Sequence, residues 1–250
     1  MKTIPAVLAL LVWVFPASSD GQVVDDLRRQ QAMQRYRNGQ ELMLAEQFEK
    51  AAREFSGAIE LDPLLTLAHH GLGQAYMSQK RFASAIQAFI ACREAYRLIH
   101  GLREKDRVAA DRVADDQIRE LQDAAQMYRS GRVKGYGGGS GEARATQLEA
   151  RIADFERTRN LGITSFRPPA EVALALGSAY FRNGNADEAE REWKSAVEVN
   201  PKLGEAHNNL AVLFMIRGRK KDAEDAVKAA ERAGFRVNPN LKADIRKMPN

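Results

Sequence analysis

Four histidines, His69, His70, His100 and His207, and one cysteine, Cys92, are the side chains of this sequence best suited to acid–base, metal or nucleophilic chemistry. His69 and His70, joined by acidic residues from elsewhere, would serve a hydrolase or a metal-dependent enzyme, but a three-ligand zinc site needs one more histidine or carboxylate converging on them. The sequence contains no H-E-x-x-H, no G-x-S-x-G and no phosphate loop ending in GK[ST]. The glycine-rich stretch 131–141, with Gly137-Gly138-Gly139-Ser140-Gly141, fits no G-x-G-x-x-G register and reads as a flexible tip. No catalytic residue, metal ligand set or cofactor is therefore assigned, and an enzyme using His69 and His70 stands as the alternative.

Charge offers a second kind of chemistry. Lys and Arg total 38 against 33 Asp and Glu, a net +5 over 250 residues. The clearest concentration is Arg217, Arg219, Lys220 and Lys221, a basic patch that would meet an acidic partner or lipid phosphate if its charges are free. It lacks the interleaved aromatic residues that stack on nucleic-acid bases, so nucleic acid is not expected as a partner. A single cysteine excludes an internal disulfide framework, and 44% hydrophobic with 28% charged residues is the balance of a folded, water-soluble chain.

The elements that must position these residues show a 34-residue period. Leu176-Gly177-x-x-Tyr180, Ala189, Trp193, Ala196 and Pro201 recur as Leu210-Ala211-x-x-Phe214, Ala223, Val227 and Ala230. The same spacing finds Leu72-Gly73-x-x-Tyr76, Ala85, Phe89 and Cys92, and before it Gly39, Leu42, Ala51, Phe55, Ala58 and Pro63. Each copy places one apolar face on each of two helices, with small residues where the helices approach and bulky ones between them. Asn183-Gly184-Asn185 and Arg217-Gly218-Arg219 supply the turns, and Asn185 with Glu188 has capping-box spacing. Cys92 falls in the small slot held elsewhere by Ala196 and Ala230, so it reads as core filler.

On these residues the chain resembles the tetratricopeptide repeat family. The copies are 32–65, 66–99, 170–203 and 204–237. Arg35 and Asn38 depart from expected apolar sites in the first, and Arg97 replaces the closing proline in the second. The resemblance implies an all-α solenoid of helical hairpins that binds a protein or peptide partner, with the first helix of each pair lining a concave groove. It places Asn209 on that groove, with Asn208, Arg37, Gln40, His70, Gln74 and Ser178 nearby. A groove asparagine both donates to and accepts from an extended peptide backbone. His69 and His207 share one repeat slot and are expected to be structural.

Residues 100–169 separate the two pairs. Continuing the repeat register would bury Asp106, Arg107, Arg119 and Asp123. Ala114, Ile118, Leu121, Ala125 and Tyr128, then Ala145, Leu148, Ile152 and Phe155, instead predict two amphipathic helices folded as a hairpin, which would also provide a surface for homo-oligomers in a structural element of a cell envelope. Asn238-Pro239, Leu241 and Ile245 predict a capping helix within 238–250. Residues 233–239 resemble closing segments of exported bacterial repeat proteins. The basic start at Lys2, the apolar run 4–15 and the small residues to Ser19 predict a signal peptide over 1–19, cleaved near Ser19, followed by repeat material over 20–99. The mature chain is thus expected to be periplasmic or secreted, without a transmembrane segment, and to work as a binding module or scaffold.

Overall fold

The computed structural model describes residues 26–131, 141–160 and 166–249. The predicted signal segment and most of the glycine-rich tip lie outside them. Eleven α-helices and no strand occur among the described residues: α1 (Asp26–Leu44), α2 (Phe48–Leu61), α3 (Thr66–Ser78), α4 (Phe82–Lys105), α5 (Arg107–Arg129), α6 (Gly141–Asn160), α7 (Ala170–Arg182), α8 (Ala186–Val199), α9 (Gly204–Ile216), α10 (Lys220–Arg232) and α11 (Pro239–Lys247). The fold is all-α and solenoid-like, as expected.

The hairpins form because glycine lets one helix nearly touch the ring carried by the next. Phe55, Phe89 and Trp193 are each no more than 2% exposed. Gly39 and Gly71 face Phe55, Gly73 faces Phe89, and Gly177 faces Trp193 so closely that a Cβ would stand 2.6 Å from Cδ1 of the indole. The Trp193 Nε1–H also donates to the Leu174 carbonyl at 3.3 Å, satisfying its one polar group. Burying each such ring contributes roughly 1.5–3 kcal/mol. Cys92 is fully buried, its thiol lies 3.4 Å from the Thr66 carbonyl, and burial pushes its pKa up to about 12. The thiol therefore stays protonated and unreactive near neutral pH.

At the turns, Gly184 and Gly218 take φ values of +86° and +72°. The equivalent slots in the first two copies hold Glu46 and Lys80, also left-handed. Pro63 and Pro201 lie just beyond the ends of α2 and α8, but α4 runs past the expected boundary at 99 to Lys105. Arg97, standing in the proline slot, neither lacks an N–H nor clashes with the preceding turn, so nothing stops the helix there.

Two local expectations fare differently. The predicted capping box at Asn185 does not form: Asn185 makes no side-chain cap, its Oδ1 accepting instead from Asn183 Nδ2 at 2.6 Å, while Glu188 pairs with Arg191. The cap of α11 does form, with Asn238 Oδ1 accepting from the Asn240 N–H at 2.9 Å and Pro239 in the first turn. Ile245, 2% exposed, then seals the end of the core formed by α7 to α10. Arg35 tolerates its apolar slot because Gly57 leaves room for its guanidinium and Cδ, and the guanidinium reaches Glu54 at 3.7 Å.

The array passes from α4 directly to α7, since α4 packs on both α5 and α7. Helices α5 and α6 branch off as a hairpin, with Arg129 at the end of α5 pairing with Glu142 and Glu149 of α6. Ala114, Ile118, Leu121, Ala125, Ala145 and Leu148 are buried; of these, Ile118, Leu121, Ala125, Ala145 and Leu148 share the core of Tyr36 and Phe55.

Candidate protein-binding groove

The first helices α1, α3, α7 and α9 form the face on which a partner is expected. On α1 and α3 that face is covered by the chain itself. Arg37 donates from Nε and Nη2 to Glu120 of α5, at 2.9 and 2.6 Å to Oε2. The Glu120 hydrogen bonds outweigh desolvation and raise the Arg37 pKa above its ordinary value. Arg29 reaches Asp116 at 3.3 Å, and the Thr66 hydroxyl donates to Gln117. Arg37, Gln40, His70 and Gln74, all expected groove residues, thus line one solvent-open cavity of about 550 Å³ bordered by α5 and α6. A second cavity of about 540 Å³ lies on the other side of the Arg37–Glu120 pair, beside Arg29 and Asp116.

Within the first cavity Gln40 Nε2 donates to the Tyr36 hydroxyl at 2.7 Å, and the buried His70 ring packs 5.5 Å from Phe89. Arg151 of α6 also lines it. Glu120, Met127, Leu148 and Arg151 were not among the expected site residues. The signal for Glu120 is charge complementarity with Arg37, 83 residues away, which no local pattern displays.

Ser178, Asn208 and Asn209 are not brought to that cavity. They lie on α7 and α9, where each is partly exposed. Ser178 Oγ donates to the Leu174 carbonyl at 2.9 Å, four residues back along its own helix. Asn208 and Asn209 share a side of α9 with Glu205, Val212 and Ile216, the last 62% exposed, while Leu210, Leu213 and Phe214 turn into the core. Helix α9 therefore presents a mixed amide and apolar stripe that the insert does not cover.

Of the candidate catalytic pair, His70 lines the first cavity, whereas His69 turns back to the segment before its helix. His69 Nε2–H donates to the Pro63 carbonyl at 2.9 Å, and His207 Nε2–H does the same to Pro201 at 3.0 Å. The shared slot is a clasp from each first helix to the turn that precedes it. Burial holds the His69 pKa below its ordinary value, against the opposing effect of the Pro63 carbonyl. Among the described residues no group of three or more His, Cys, Asp or Glu side chains is placed to hold a metal ion. None of the helices there is long and apolar enough to cross a membrane.

The basic patch is largely engaged. Arg217 and Arg219 both reach Glu190, at 2.6 and 3.0 Å, and also pair with Asp187 and Asp222. Lys194 adds a third cation to Glu190 at 2.7 Å. Burial works to raise the Glu190 pKa, but Lys194 and Arg219 hold it below its ordinary value. Lys220 Nζ donates to the Met248 carbonyl at 2.8 Å. The cluster joins α8, α10 and the segment after α11, while the exposed Lys221 stands outside these pairs.

The tetratricopeptide repeat family model matches residues 36–96 and 174–234. No curated protein matches significantly. Among solved structures, a thermophilic TPR protein of Thermus thermophilus is 18% identical, covering 87% of this chain and 98% of its own, with a TM-score of 0.34. YrrB, described as a TPR protein with an unusual peptide-binding site, is 16% identical over 89% of this chain and 95% of its own, with a TM-score of 0.30. The Cut9–Hcn1 hetero-tetramer of the APC/C matches at 13% identity over 91% of this chain and 45% of its own, with a TM-score of 0.30.

Proposed function

With residues 36–96 and 174–234 matched by the tetratricopeptide repeat family model, we propose that this protein is an exported interaction module or scaffold that holds an extended peptide or partner helix against its concave face. The observation that carries the proposal is the stripe on α9, where Asn208 and Asn209 lie beside Val212 and the exposed Ile216. Each amide can accept from one backbone N–H and donate to one C=O of an extended chain, and the apolar neighbours add the buried area that hydrogen bonding alone does not supply. The stripe needs no rearrangement of the core behind it.

Asn209→Ala is expected to reduce recovery of the partner at least fivefold when wild-type and variant proteins are used to capture it from the native source, with the melting temperature unchanged. Equal recovery by the two proteins would remove Asn209 from the binding face. Export is supported by the basic start, apolar run and small residues of 1–19. The expected mature chain begins at Asp20, and N-terminal sequencing of the protein recovered from its source checks this; a chain still beginning at Met1 would contradict it.

A further inference from the structure

The N-terminal groove already holds a segment of this chain, and that segment displays the chemistry the groove accepts. Helix α5 lays two carboxylates four residues apart, Asp116 and Glu120, against Arg29 and Arg37 of α1. Between and beyond them Ile118 and Leu121 enter the core shared with Tyr36 and Phe55. The fit is incomplete. Clefts of about 540 and 550 Å³, open to solvent, remain on either side of the Arg37–Glu120 pair, so α5 covers the groove without filling it. Each ion pair of the clasp sets one solvent-open charge, Arg37 at 50% or Asp116 at 43% exposed, against a shielded one, Glu120 at 10% or Arg29 at 11%, so salt reaches and weakens the attraction from one side.

We propose that the α5–α6 hairpin is a displaceable occupant of the groove on α1 and α3, and that the partner which replaces it is an acidic amphipathic helix with carboxylates at i and i+4 flanking apolar residues. This rests on the concave face being a protein-binding surface, as proposed above. The replacing helix makes the same two ion pairs and fills space that α5 leaves empty. Displacement then couples occupancy of the N-terminal groove to the position of the hairpin, which also packs on α4, the helix that contacts α7.

The test uses the full chain and a fluorescent peptide of residues 107–129, followed by anisotropy. Wild-type protein is expected to bind it weakly, because α5 competes from within. Glu120→Lys, which sets a cation against Arg37 and loosens the hairpin, is expected to bind the peptide at least tenfold more tightly. Arg37→Glu loosens the hairpin equally but reverses the groove charge, and is expected to show no gain. A peptide carrying Asp116→Asn and Glu120→Gln is expected to show none with Glu120→Lys protein. No gain with Glu120→Lys, or equal gain with the neutralised peptide, would overturn the proposal. Should Glu120→Lys fail to fold, hydrogen exchange of the wild-type chain decides: amides of α5 and α6 are expected to exchange at least tenfold faster at high salt than at low salt while those of α7 to α10 keep their rates, and a uniform response overturns the proposal. Asn209→Ala reads the C-terminal face independently, so loss of partner there alongside a failed peptide test would reject the displaceable hairpin and leave the binding function standing.

Discussion

At the scale of single residues, the fold depends on places where a methyl group is absent. Gly177→Ala is expected to destabilise the protein by roughly 1–3 kcal/mol, since the new Cβ meets the Trp193 indole and the core must shift to admit it. Lys80→Gly works in the other direction. A lysine in the left-handed region costs roughly 1–2 kcal/mol and glycine returns roughly half of that as unfolded-state entropy, so the variant is expected to gain about 0.5–1 kcal/mol by chemical denaturation. His69 gives the pH dependence its sign. Its pKa is depressed in the folded state, so the unfolded chain binds the proton more readily; this contribution to stability is full above the ordinary value of 6.5 and is lost as pH falls through the lower folded value. Asp62, raised by burial from 3.8, acts oppositely and in a more acidic window: its contribution is full below that value and lost as pH rises through the folded one. His69→Gln should therefore flatten the fall in melting temperature between pH 7.5 and 5.5, and an unaltered slope would show that another group sets it. Gly177, Trp193 and Cys92 were legible in the sequence because the repeat assigns each a slot. The clasp of His69 on Pro63 was not, because a repeat register specifies which side of a helix a residue occupies and not which carbonyl its ring reaches.

Among helices and their junctions, the 34-residue period placed the four hairpins and the missing proline at Arg97 let α4 run on. Glu190 shows how a turn that reads as a basic patch becomes a joint between repeats. Its side chain is 11% exposed and faces Arg217, Arg219 and Lys194. Glu190→Gln should cost roughly 1–3 kcal/mol, because part-buried cations lose their shared carboxylate, and thermal denaturation measures it. The four basic residues were visible in the sequence, whereas their neutralisation was not: Glu190 precedes Arg217 by nearly a full repeat, and only stacking of consecutive hairpins brings the two together. The amphipathic stripes of α5 and α6 were equally plain, yet nothing in either stripe names the surface it covers. Arg29 and Asp116, or Arg37 and Glu120, are ordinary surface charges until α1 and α5 are laid side by side.

Over the whole molecule, the array is a row of hairpins in which each buries the face of the one before it, so its ends and its interruption matter most. Ile245→Ala removes the side chain that seals the last pair and is expected to destabilise α9 and α10 by about 2–5 kcal/mol, seen as faster hydrogen exchange there and little change in α1 to α4. Exchange that rises equally throughout would mean that the array unfolds as a single unit. The insert divides the concave face into an occupied half on α1 and α3 and an open half on α7 and α9. Photo-crosslinking in the native source compares these surfaces most directly, with a photoreactive residue placed at Asn209 or Val212 on the open stripe and at Lys228 on the exposed side of α10. A protein adduct of defined mass is expected from the first two positions and not from Lys228; adducts from Lys228 alone, or the same adducts from all three, would contradict a partner held in the groove.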